Sequence, residues 1–191
     1  MSPWAPTVKR WTRAEYERLV DLGAFEREPI ELIDGQLLVA EPQGASHAST
    51  VGAINEALRA VLPRGWIVRT QAPISLDDTS EPEPDLAVVQ GRHADYRHAH
   101  PARPALVVEV AESSLAFDRR QKGSFYARAR IEDYWIANLL DRVLEVYRDP
   151  VEDASAPSGW RYRSITILAP PAFVAPLAFP SCRLSVTDLL P

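Results

Sequence analysis

Two acidic residues occupy places where an apolar strand would normally exclude them. Asp85 follows Pro84 and opens the run PDLAVV, and Glu109 lies inside LVVEVA. An uncompensated buried carboxylate costs on the order of several kcal/mol unless it pairs with a cation, coordinates a metal or takes up a proton. Two such acids on neighbouring strands can converge at one end of a sheet. Carboxylates combined with water and phosphate oxygens suit Mg²⁺, a hard octahedral ion that keeps much of its hydration. Lys122 follows Glu109 by thirteen residues, in a chain with nineteen arginines and two lysines. A lysine there could orient a water or stabilise phosphoryl charge as a compact point charge, which the planar arginine fork does less well. Each residue also has a plainer explanation. Glu109 could be the buried partner of Arg69 or Arg128, and Pro-Asp at a strand start is ordinary turn chemistry. Asp118 and Lys122 could form an i,i+4 pair worth about 0.3–0.5 kcal/mol on a solvated helix face.

The elements that must position these residues are legible in outline. DLAVV (85–89) and ALVVEVA (105–111) are nearly continuous apolar runs, the pattern of central strands buried on both faces. LAFDRRQKGSFYARAR (115–130) reads as a helix despite Gly123, so a strand–loop–helix unit brings Lys122 back across the sheet. Thr12 and Glu15 form a capping-box pattern before a helix at about 13–22. Asp34-Gly35 between two apolar runs (30–40) predicts a hairpin. Apolar residues at 51, 54, 58, 61 and 62 predict a helix over 46–63, ended by Pro63 and Gly65. Further strands are expected at 66–70, 72–76, 160–168 and 173–178, with a second hairpin from 133–138 and 142–148. A short closing helix over 185–190 has Ser185 as its cap. The order predicts an α/β (α+β) fold, a mixed central sheet flanked by helices, in one domain spanning 1–191.

Composition narrows the classes. Hydrophobic residues make up 46% and charged residues 25%, as in a soluble globular protein. No apolar run approaches the roughly 18–20 residues that span a bilayer. The N-terminal segment has no apolar signal region, and the single Cys182 cannot form an internal disulfide, so a cytoplasmic setting is expected. A net charge of −5 is the wrong sign for binding nucleic acid over the whole surface. Local attraction could come from GRHADYRHAHPAR (91–103), read as a loop, and from the arginines of 119–130, both flanking the acidic pair in sequence. Such clusters are also ordinary solvated surface. No zinc spacing, phosphate-binding glycine loop or nucleophile elbow is present.

Pro84-Asp85, a strand-borne Glu109 and Lys122, in that order, resemble the PD-(D/E)XK nuclease superfamily. One departure is plain: the usual lysine lies two residues after the glutamate, where this chain has Ala111. Some branches carry the lysine on the following helix instead. The chain is most similar to the Uma-two family of restriction-endonuclease-like proteins, over roughly residues 10–150. The shared motifs are ELIDGQL (31–37), SHAS (46–49), PEPDLAVVQ (82–90), LVVEVAESS (106–114), DRRQKGSFYARARIEDYW (118–135) and LEVYR (144–148). The resemblance implies a restriction-endonuclease-like core and Mg²⁺-dependent hydrolysis of phosphodiester bonds in DNA, with Mn²⁺ as a substitute. Asp85 and Glu109 are then metal ligands, the Val110 carbonyl a third, and Lys122 the catalytic lysine. Glu31 and His47 match an acidic and a polar position near that site. Glu31 also reads as an exposed hairpin acid, and His47 as a residue of a helix N-terminus. Family analogy further implies a homodimer. The alternative is an inactive nucleic-acid-binding or assembly module with the same fold.

Overall fold

The computed structural model describes residues 7–26, 28–39 and 43–191. Helix α1, Arg13–Asp21, is closed by the capping box: the Thr12 amide donates to Glu15 Oε2 at 2.9 Å, and the Glu15 amide donates to Thr12 Oγ1 at 3.3 Å. Strands β1, Ile30–Ile33, and β2, Gln36–Val39, form a hairpin about Asp34 and Gly35. Their φ angles of 50° and 74° are those of a tight turn with two left-handed residues. Ala40, the last residue of the predicted hairpin, lies outside the described residues, as do residues 1–6 of the segment read for a signal.

A long helix α2, Ala45–Val61, leads into β3, Trp66–Thr70, which pairs antiparallel with β4, Leu86–Gln90. β5, Leu106–Ala111, is antiparallel to β4 and parallel to β6, Asp133–Asn138. Antiparallel β7, Val143–Glu152, and β8, Trp160–Leu168, complete a six-stranded mixed sheet in the order β3-β4-β5-β6-β7-β8. The segment after β5 is helical throughout: α3, Leu115–Phe117, a π-helical turn at Asp118–Lys122, and α4, Gly123–Arg128. Two short strands, β9 (Phe173–Val174) and β10 (Leu184–Ser185), precede α5, Val186–Leu189, whose cap Ser185 accepts from the Thr187 amide. Among the described residues no helix is long and apolar enough to cross a membrane.

Alternation along the central strands divides the core in two. Leu86, Val88, Leu106, Val108 and Val110 face α2 and α5, while Ala87, Val89, Val107 and Ala111 face the α4 side. Both faces are covered, which explains why β4 and β5 read as unbroken apolar runs.

Three strand expectations need correction. Residues 72–76 form no strand: Gln71 adopts φ 47°, ending β3, and Pro73 has no amide to donate. Ile74 and Leu76 instead donate their amides to Pro82 and Ser80. The predicted strand at 173–178 shrinks to Phe173–Val174, since Pro176 interrupts any ladder. β7 runs beyond 148 to Glu152, turning through Asp149 at φ 62° and continuing in register past Pro150.

Candidate active site

Asp85 precedes β4 and Glu109 lies near the end of β5. One step beyond the Leu86–Val108 pair, the antiparallel register sets Asp85 across from Glu109. The strands are also tied through Asp85 itself, whose Oδ2 accepts from the Val110 amide at 2.8 Å. His47, in the first turn of α2, brings Nε2 within 3.1 Å of the same oxygen. Among the described residues, Oδ1 has only long contacts, 3.5 Å each, from Gln43 and Gln71.

Glu109 is 3% exposed and is held through Oε1 by two groups. Lys122 Nζ lies 2.9 Å away, and the Tyr126 hydroxyl donates at 2.8 Å. Lys122 Nζ is also 3.7 Å from Asp118 Oδ1. Asp118 Oδ2 accepts from Ser114 at 2.5 Å, but Oδ1 is buried with no hydrogen-bond partner. Lys122 is therefore a largely enclosed cation, its side chain 12% exposed, and the reading of it as half of a solvated i,i+4 pair was incomplete. It pairs with the strand glutamate as well as with its helical neighbour, and the helix face is not solvated. Neither Arg69 nor Arg128 is the partner of Glu109. Arg128 binds Asp34 and Asp77, and Arg69 contacts Pro73 and His100.

Asp85, Glu109, Asp118 and Lys122 line one cavity of about 460 Å³. Glu31 reaches it from the hairpin, with Oε2 accepting from the Glu83 amide at 3.2 Å. His47 and Val110 line it too, so all six site residues expected from sequence come together. Sequence reasoning missed the acidity of its surroundings. Six carboxylates line the cavity (Glu31, Glu83, Asp85, Glu109, Glu112, Asp118), against Lys122 and His47. Asp118 was read only as a helical partner of Lys122, and Tyr126 was discoverable, since 118, 122 and 126 recur at intervals of four on one helical face.

The electrostatics follow from this imbalance. Burial, reinforced by Asp118, Asp85 and Glu31 against the pull of Lys122, raises Glu109 to about 8. Burial likewise raises Asp118. His47 is raised by its hydrogen bond to Asp85, which outweighs desolvation.

The arginines of the basic segments do not line this cavity. β4 runs away from Asp85 and β5 runs back to Glu109, so their connection at 91–103 emerges at the opposite sheet end. No residue of that loop lines the cavity. On the helix, Arg119 binds Glu145, Arg128 binds Asp34 and Asp77, and Arg130 stacks over Trp160 at 3.9 Å.

A mixed sheet with an acid before one central strand, an acid on the next and a lysine on the following helix defines a restriction-endonuclease-like protein. The sequence pattern of the Uma2 (Uma-two) family, described as "Putative restriction endonuclease", matches residues 13–187, and the chain belongs to that family. Among solved structures, the chain is similar to one described as a "putative nuclease belonging to DUF820" from Anabaena variabilis ATCC 29413. The match has 19% identity and a TM-score of 0.63, and covers 84% of this chain and 89% of that one. At that identity the likeness speaks for the fold. A search of curated proteins returned no match.

Proposed function

We propose that this protein is a divalent-cation-dependent endonuclease that hydrolyses phosphodiester bonds, with DNA as substrate. One observation carries the reading: Asp85, Glu109 and Lys122 meet in a cavity whose six carboxylates have a single lysine among them. Such a site repels a phosphodiester unless a cation enters with it.

The donor set suits that cation. Carboxylate and carbonyl oxygens are hard ligands, Asp85 Oδ1 is weakly engaged, and Asp118 Oδ1 is buried without a hydrogen bond. Among the described residues, no three His, Cys, Asp or Glu side chains form a ready cage. Mg²⁺, or Mn²⁺ in its place, keeps several waters and needs few protein ligands. Asp85, Glu109 and the Val110 carbonyl would hold it. When bound, it supplies Lewis-acid stabilisation of phosphoryl charge and lowers the pKa of water.

The protein's own groups divide the remaining work. His47 and the Val110 amide fix Asp85 through Oδ2. Lys122 carries a fixed positive charge beside Glu109, where it can orient a water or stabilise negative charge developing on a phosphoryl oxygen. Glu31 adds negative charge from the hairpin side.

The test is cleavage of plasmid and single-stranded DNA with Mg²⁺, Mn²⁺ or EDTA, beside Asp85→Ala. Cleavage should require the divalent ion and vanish in the variant. A folded protein that cuts neither substrate with either ion would favour the inactive-module alternative and refute the enzyme. A homodimer belongs to the same proposal, since two copies can cut two strands; sedimentation showing only monomer at working concentration would remove it.

A further inference from the structure

Tyr126 is fully buried on α4, four residues beyond Lys122 on the face that carries Asp118. Its hydroxyl donates to Glu109 Oε1, the oxygen that Lys122 also holds. Two donors arriving at one oxygen restrict the carboxylate's terminal torsion, because rotating it would carry that oxygen away from both. The ring is fixed in turn by its neighbours. Phe125 packs at 4.3 Å between centroids and Tyr134 at 5.0 Å. Tyr134 donates its own hydroxyl to the Asp118 carbonyl at 3.1 Å. That carbonyl also accepts from the Gly123 amide, closing the π turn that carries Lys122. The aromatic layer thus connects the strand acid to the helix that bears the lysine.

Resting on the functional reading above, we propose that Tyr126 is a positioning residue of the cation site: its hydroxyl sets the orientation in which Glu109 meets the divalent ion. A carboxylate ligand is tuned by the groups that hydrogen-bond to it, and losing such a partner typically weakens metal binding about 10–100-fold.

The molecule supplies its own control. Tyr162 belongs to the same apolar cluster, stacks on Tyr134 at 6.0 Å and is also buried. Its hydroxyl donates to the Ile131 carbonyl at 2.8 Å, and it does not line the cavity. Tyr126→Phe and Tyr162→Phe each remove one buried hydroxyl and leave the ring in place.

Calorimetric titration of the metal-free protein with Mn²⁺ is the primary measurement. Tyr126→Phe should weaken binding at least about tenfold, and Tyr162→Phe should match the wild type. In DNA cleavage, Tyr126→Phe should lower kcat at saturating metal while the KM for DNA holds. Thermal melts of both variants report the common cost of losing a hydroxyl. Wild-type Mn²⁺ affinity in Tyr126→Phe, or equal weakening in Tyr162→Phe, overturns the positioning role and leaves the nuclease reading standing. A wild-type protein that binds no Mn²⁺ overturns both.

Discussion

The sheet buries acids in two ways, and the contrast separates the fully paired acids from those of the candidate site. Asp133 on β6 is completely buried and accepts four hydrogen bonds. They come from Trp135 Nε1 at 2.8 Å, Arg148 Nε at 2.8 Å, Arg148 at 3.2 Å and the Leu177 amide at 2.7 Å. Glu145 on β7 is held by both arms of Arg119, at 3.0 and 2.6 Å, and by Asn138 and Tyr147. Burial pushes Glu145 up, but Arg119, Tyr147 and Asn138 outweigh it and hold the carboxyl below its usual range. On β5 and the helical segment that follows it, Glu109 and Asp118 share one lysine, and both are raised.

The choice of cation follows the same division. At Asp133 and Glu145 the partner is an arginine whose planar fork satisfies both oxygens. Where the acids face the cavity, the partner is a lysine, which engages one oxygen of Glu109 and leaves the cluster short of positive charge. A fully paired acid has nothing left to offer a ligand, whereas an underpaired cluster is poised to accept a cation.

The largest expected break in this contrast is at the structural acid. Asp133→Ala leaves Arg148 without its partner and four donors unsatisfied. Unfolding in urea should show a loss of roughly 3–5 kcal/mol, the usual result of removing half of a buried ion pair. A loss below about 1 kcal/mol would mean that the arginine-paired acids are no more structural than those in the cavity.

The sequence disclosed the site more fully than its surroundings. Asp85 and Glu109 were legible because an acid in an apolar run needs a reason, and Lys122 because it breaks the chain's preference for arginine. Glu31 and His47 came from motif resemblance, and both reach the cavity. The basic loop at 91–103 was misplaced because adjacency in sequence says nothing of direction; antiparallel pairing of β4 and β5 carries it to the far end. Tyr126 was overlooked, and Asp118 was read only as a solvated helical partner of Lys122, because their contacts depend on how the helix docks, and the π turn is invisible to hydrophobic periodicity. The missing strand at 72–76 turned on one left-handed residue, Gln71, which no propensity announces.

Lys122→Arg asks whether the arginine habit can be extended into the cavity. The charge is conserved, but a planar guanidinium needs space and partners that the compact ammonium does not. The protein should fold, and DNA cleavage should fall on the order of a hundredfold, about 2.7 kcal/mol in barrier. Unchanged cleavage rates, in an assay that Asp85→Ala abolishes, would show that only the charge matters and would erase the functional half of the contrast.

The smallest effect lies in the pH dependence of stability. Glu109 titrates near 4.5 when unfolded and is raised to about 8 when folded. Between those values the folded protein holds a proton that the unfolded chain has released. Metal-free stability therefore falls as pH rises through this window and levels off above it. His47, also raised, contributes in the same direction because its stabilisation is lost as pH passes its folded value. Glu81, raised by burial to about 7, does so as well. Glu145, being lowered, loses its contribution only under acid conditions, so it does not mask the trend. The part belonging to Glu109 is isolated by Glu109→Gln, which resembles the protonated carboxyl. In metal-free buffer near neutral pH the variant should melt at or slightly above the wild-type temperature, and its decline toward high pH should be shallower. Mg²⁺ should stabilise the wild type most at high pH, where the carboxylates are ionised, and Glu109→Gln least. A variant that melts far below the wild type near pH 7, with an unchanged pH slope, would place Glu109 among the structural acids, beside Asp133 and Glu145.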